Sequence, residues 1–204
     1  MVEHCYITDR LSLHPKPLLP HILAAIKAGV RLVQIREKDL ATRDLLKLVL
    51  PVLEASQGTR TRIVVNDRLD MALALGAHGV HLGTRSIPPG AVRRSLPKDF
   101  LIGVSCHSLE EARGAESAGA DYIVLGPIFP TPSKSQYGPP LGLEKLSETI
   151  QQVKIPVLAL GGISMKNVRA CLEAGATGIA GIRIFQDCAS LDKLVNDLES
   201  QFPS

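Results

Sequence analysis

A chain of 204 residues with a net charge of +3 is long enough for one hydrophobic core, read as a single domain over 1–204, and too weakly charged to mark a nucleic-acid surface. Aromatics make up 3% of it and Trp is absent, so nothing interleaves with the scattered basic residues to stack bases: nucleic acid is excluded as a partner. The core must therefore be built from Leu, Ile, Val and Ala.

Short apolar runs alternate with longer amphipathic ones along the chain. "HCYITD" (4–9) is the first predicted strand and "RLVQIRE" (31–37) the second. "TRDLLKLVLPVLEAS" (42–56) has helical apolar spacing, with Pro51 expected to kink or break it. Strands follow at "TRIVVND" (61–67), "GVHLG" (79–83) and "FLIGVS" (100–105). "SLEEARGAESAG" (108–119) reads as a helix opened by a capping box of Ser108 and Glu111. "DYIVLGP" (121–127), "IPVLALGG" (155–162) and "TGIAGIRIF" (177–185) complete eight strands, several apolar on both faces as buried parallel strands are. "SMKNVRACLEAG" (164–175) is a helix expected to start on a capping Ser164.

Four segments repeat one rhythm of helix, glycine, short turn and apolar strand. Gly29, Gly76, Gly119 and Gly175 stand where a helix closes in the left-handed conformation, ahead of strands two, four, six and eight. This argues for a closed (β/α)8 TIM barrel over an open doubly wound sheet. No apolar run is long enough to cross a membrane, and "MVEHCYITDR" reads as no signal peptide. Cys5, Cys106, Cys171 and Cys188 form no C-x-x-C pair, which points away from zinc and disulfides and toward a cytoplasmic protein with reduced thiols.

A barrel of this kind carries its site at the C-terminal strand ends, and those ends turn polar here. Gln34, Arg36 and Lys38 alternate with Val33 and Ile35, so one strand face presents three donors to the barrel mouth. That row suits an anion; its plainer use is salt bridging with Glu37 and Asp39. Asn66 and Asp67 end strand three, where Asp67 takes Mg2+, caps the next helix or does both, capping being the plainer use. Asp70, one turn on, reads as solvated. His107 follows strand five just ahead of a helix start, placed to exchange a proton. His81, within strand four, reads as structural. Residues 126–144, "GPIFPTPSKSQYGPPLGLE", form a long loop with Thr131, Ser133 and Lys134 as candidate anion ligands. Gly161 and Gly162 after strand seven, with the expected Ser164 helix start, and Gly181 and Ile182 at strand eight, are candidate phosphate contacts.

Taken in order, "VQIREK", "VND", "GVHLG", "GVSCHSLEEA", "GPIFPTPSK", "PPLGLE" and "ALGGI" resemble the thiamin phosphate synthase and TenI superfamily along nearly the whole chain. The resemblance implies that Gln34, Arg36, Lys38, Asn66 and Lys134 hold a pyrophosphate or pyrimidine, with Thr131 and Ser133 beside them, and that Gly162 and the Ile182 amide cradle a thiazole phosphate. The synthase branch joins the two heterocycles with Mg2+ held by two aspartates. Asp67 matches the first, but Ser86 of "GTRSIP" stands at the second, beside Arg85.

That turn makes the expected function the other branch: a TenI-like thiazole tautomerase, an isomerase without cofactor, in which His107 moves the proton and a thiazole phosphate is the small-molecule partner. The alternatives are a Mg2+-dependent thiamin phosphate synthase, with Asp67 as metal ligand, and a non-catalytic thiazole phosphate-binding regulatory protein. A homodimer would fit the family.

Overall fold

The computed structural model describes residues 3–131 and 139–202. Among them run eight strands: β1 (His4–Ile7), β2 (Leu32–Ile35), β3 (Arg62–Asn66), β4 (Gly79–Leu82), β5 (Leu101–Cys106), β6 (Tyr122–Leu125), β7 (Val157–Leu160) and β8 (Gly178–Gly181). Each is parallel to its neighbours, and β1 pairs with β8 as well as β2, in registers such as His4↔Ile179. The sheet therefore closes in chain order into the expected (β/α)8 barrel. The helices around it are α1 (Arg10–Leu13), α2 (Leu18–Lys27), α3 (Thr42–Ser56), α4 (Leu69–Leu75), α5 (Pro89–Arg93), α6 (Leu109–Ser117), α7 (Gly142–Gln152), α8 (Val168–Glu173), α9 (Arg183–Gln186) and α10 (Leu191–Glu199).

The period-two alternation sorts the strand residues into two apolar layers. Cys5, Ile7, Leu32, Val64, Tyr122, Val124, Leu158 and Ala180 fill the lumen. Val33, Ile35, Ile63 and Val65 face outward and pack with Leu45, Val49 and Val52 of α3. Burial of those three side chains, roughly 1.5–3 kcal/mol each, outweighs the cost of an internal proline, about 3 kcal/mol. Accordingly α3 runs through Pro51 without a break.

The glycine rhythm is one motif used four times. Val30 N–H donates to Ala25 O, Ala77 to Ala72, Ala120 to Ala115 and Ala176 to Cys171, at 2.9–3.1 Å. Each bond closes a helix around Gly29, Gly76, Gly119 or Gly175, all with positive φ. At Gly119 the space is also needed, since a Cβ would lie 3.1 Å from Arg93 Cγ.

Two boundaries differ from the sequence expectation. The eighth strand ends at Gly181, and 183–186 are helical; "IRIF" is apolar enough for either state, and Phe185 and Gln186 N–H groups turn back to Ile182 O. Ser164 does not cap a helix: α8 begins at Val168, and the Ser164 N–H is taken by Asn167 Oδ1 at 2.8 Å. The Ser108 cap is as expected, accepting from Glu111 N–H, although Glu111 reaches back to the His107 N–H instead of that of Ser108.

Candidate active site at the barrel mouth

At the C-terminal end of β3 the backbone turns sharply, with Asp67 at φ +60°. Its N–H is held by His81 O at 2.9 Å. This conformation carries the carboxylate across to the turn after β4, not to α4, whose N-cap is Arg68; the capping reading of Asp67 is thereby corrected. Oδ1 accepts from the Ser86 hydroxyl and, at 3.4 Å, from Gly83 N–H. Oδ2 accepts from Asn66 Nδ2 at 2.8 Å. Asn66 Oδ1 in turn accepts from Gln34 Nε2 at 2.9 Å. A continuous string therefore crosses from β2 through β3 to the turn after β4. It leaves Gln34 Oε1 buried and without a partner, which costs about 1–3 kcal/mol unless something else supplies a donor.

Gln34 is buried, Arg36 half-buried and Lys38 exposed, the gradient expected of a strand climbing out of a lumen. Glu37 and Asp39 pair with Arg10 of α1. Glu37 also accepts from Thr8 Oγ1 at 2.6 Å, and Thr8 Oγ1 accepts from Arg36 N–H at 2.9 Å. Burial raises the Glu37 carboxyl above the ordinary carboxylate value, against the Thr8 and Arg10 hydrogen bonds that pull it down. Asp70 is not merely solvated: Arg68 grips it through two bonds of 2.9 and 2.7 Å, which lowers its pKa.

His81 has the structural setting expected of it. Its Nδ1 meets Tyr122 OH at 3.2 Å and its Nε2 meets Ser105 Oγ at 2.9 Å. Burial pushes its pKa down from 6.5 to about 4, with Arg36 adding to the fall and Asp67 opposing it, so the ring is neutral. It thus holds Ser105, a half-buried hydroxyl near the mouth that was not among the expected site residues. A signal for it existed in Gly103, since a glycine inside a strand marks a close approach. A Cβ there would lie 2.1 Å from Tyr122 Cζ and 2.6 Å from His81 Nδ1.

His107 is exposed at the end of β5, with Nδ1 donating to Gly126 O at the foot of the long loop. Gly161 and Gly162 have φ +94° and +65°, and a Cβ on either would lie 2.6 Å from Pro127 or Pro130. Part of their role is therefore to let the 126–130 segment pack on the end of β7, where Phe129 N–H donates to Gly161 O at 3.0 Å. Ile182 packs against the lumen cluster, and Gly181 pairs with Tyr6. Thr131 is half-buried; Ser133 and Lys134 lie outside the described residues. The lumen strands thus bring Gln34, Asn66, Asp67 and Ser86 into one connected group, with Gly161 and Gly162 after β7 and Gly181 and Ile182 at the end of β8 on the other side of β1. The cysteines are free, three buried and Cys188 half-buried.

A family model described as thiamine monophosphate synthase matches residues 4–185. A protein of Roseiflexus sp. (strain RS-1) named thiamine-phosphate synthase is 42% identical over 176 residues, 86% of this chain and 75% of that protein. One of Syntrophomonas wolfei with the same name is 38% identical, over 91% of this chain and 89% of its own. The solved structure of thiamine phosphate pyrophosphorylase from Pyrococcus furiosus superposes with a TM-score of 0.87 at 34% identity, covering 98% of this chain and 95% of that one. These names overturn the expectation of a thiazole tautomerase. The physical reason is that Mg2+ keeps several waters and takes one or two carboxylates plus substrate phosphates, so a second aspartate is not indispensable, and Ser86 leaves an oxygen beside Asp67. The chain belongs to the thiamine monophosphate synthase family of enzymes.

Proposed function

We propose that this chain is a thiamine-phosphate synthase, a transferase that joins a pyrimidine pyrophosphate to a thiazole phosphate. A carbon–nitrogen bond forms between the heterocycles as the carbon–oxygen bond to pyrophosphate breaks. The observation that carries this reading is the string from Gln34 to Asp67. It puts an unpartnered acceptor, suited to the amine of an aminopyrimidine, beside an exposed carboxylate at the mouth. The names of the relatives support it.

The donors fit Mg2+: the Asp67 carboxylate is exposed, the Ser86 hydroxyl lies against it, and the diphosphate itself supplies further oxygens. Asp67, with Ser86 beside it, would hold the ion, which when bound neutralises charge gathering on the departing pyrophosphate. Arg36 and Lys38, with Ser133 and Lys134 in the sequence segment beyond Thr131, bind that diphosphate. Gln34 and Asn66 orient the pyrimidine in the plane of their amides. Gly161, Gly162, Gly181 and the Ile182 amide take the thiazole phosphate. His107 is assigned the task of holding the start of the 126–131 segment through Gly126.

The test is direct. Incubation with hydroxymethylpyrimidine pyrophosphate, thiazole phosphate and Mg2+ should give thiamin phosphate, read by chromatography after oxidation to a fluorescent product. Formation should fall by at least two orders of magnitude in Asp67→Ala, as expected for losing a group that stabilises developing charge. Tight binding of either substrate with no product would replace the transferase reading with a binding protein.

A further inference from the structure

We propose that Asp67, acting through Asn66, fixes which atom of Gln34 meets the heterocycle, and so selects a ring that offers a hydrogen-bond donor. This rests on the pyrimidine-binding reading above. An ionised carboxylate only accepts. Asn66 must therefore turn its Nδ2 toward Asp67 Oδ2, at 2.8 Å. That leaves Asn66 Oδ1 facing Gln34, which must answer with Nε2, at 2.9 Å. The atom left over on Gln34 is Oε1, buried and unpartnered. Amide orientations follow from such chains of donors and acceptors, and this one is anchored at a charge.

The other carboxylate oxygen is committed by Ser86. Gly83 N–H donates to Ser86 Oγ at 2.6 Å, so the hydroxyl proton is free only to go to Asp67 Oδ1. The two donors on that side matter for what happens when the charge is removed. In Asp67→Asn the new amide keeps its oxygen toward Ser86 and Gly83. Its nitrogen then faces Asn66, which reverses, and Gln34 reverses in turn to present Nε2 instead of Oε1. The substitution suits the backbone, because asparagine tolerates the left-handed conformation found here, φ +60°. Asp67→Gly suits it too, but removes the anchor altogether and lets both amides take either sense.

The experiment is calorimetric binding of two free pyrimidine alcohols, without pyrophosphate and in EDTA, so that metal plays no part. One carries a 4-amino group, which donates; the other is its 4-oxo analogue, whose exocyclic oxygen accepts. The unsubstituted chain should prefer the amino compound by about tenfold to hundredfold, the value of one buried hydrogen bond made or left unmade. Asp67→Asn should lose or invert that preference, and Asp67→Gly should bring the ratio close to one. If both variants fold and keep the original preference, Asp67 does not set the polarity and the inference is overturned. If the unsubstituted chain binds neither compound, the pyrimidine reading itself falls, and this inference with it.

Discussion

Ser86 gives its hydroxyl proton to Asp67 Oδ1 while accepting from Gly83 N–H, so the position matched to a second acid instead neutralises part of the first. Ser86→Asp should reverse that relationship. Without metal, two carboxylates side by side repel, and the melting temperature should drop. With Mn2+ present it should recover, and Mn2+ affinity by electron paramagnetic resonance should tighten on the order of tenfold, as added ligand charge does at oxygen sites. Unchanged affinity would mean that the ion does not sit against this turn.

Gly103 makes room for the contact between His81 and Tyr122. Gly103→Ala should cost about 3 kcal/mol, the upper range for overpacking, because the added methyl meets a ring held on both sides. Urea denaturation measures it. Tyr122→Leu in the same chain should return part of the loss; a cost that stays the same in the double variant would place the strain elsewhere.

Two buried imidazoles give the fold an acid limit. His4 and His81 are both lowered from 6.5 to about 4 by burial, with Arg31 adding to the effect at His4. The unfolded chain therefore takes up protons before the native state does. The contribution of these two imidazoles is complete above about pH 6.5, is lost as pH drops toward 4, and changes little below that. Each histidine accounts for about 3 kcal/mol of that fall, since one pKa unit is worth 1.36 kcal/mol. His81→Gln should flatten the slope in this window; an unaltered slope would show that another group carries it.

Thr8 links the buried Glu37 to the Arg36 backbone. Thr8→Val keeps the volume and removes the link, leaving Arg36 N–H without its acceptor and Glu37 Oε1 with the Arg10 N–H, at 3.2 Å, in place of two donors. A loss of about 1–3 kcal/mol should follow. If Arg36 binds diphosphate, KM for the pyrimidine pyrophosphate should rise severalfold with kcat little changed, a split that steady-state kinetics resolves.

The sequence made the barrel legible because its cues are local. Inward and outward strand residues alternate by two, and each of four helices is closed by a glycine within six residues. The donor row from Gln34 to Lys38 was legible for the same reason. What spacing did not disclose were bonds between distant segments. Nothing in "VVNDR" shows that Asp67 takes a left-handed turn toward Ser86, and so capping looked the better use. Arg10, in a helix of four residues that no pattern predicted, claims Glu37 and Asp39. His107 stood out at a strand end, but its partner Gly126 lies just beyond the end of the next strand. The functional misreading came from weighing Ser86 as a lost charge when it also keeps an oxygen beside Asp67.

Four corners of this barrel are closed by bonds between close neighbours in the chain, whereas β1 and β8 join segments from opposite ends of it. Corners of that kind assemble early and the last seam late, since distant contacts must wait for the chain between them to be ordered. On the proposed reading the joined product, held by Gln34 on one side and the Ile182 amide on the other, straddles β1. It would act as a rivet across that seam, so that saturating product protects the whole ring against unfolding more than either substrate alone.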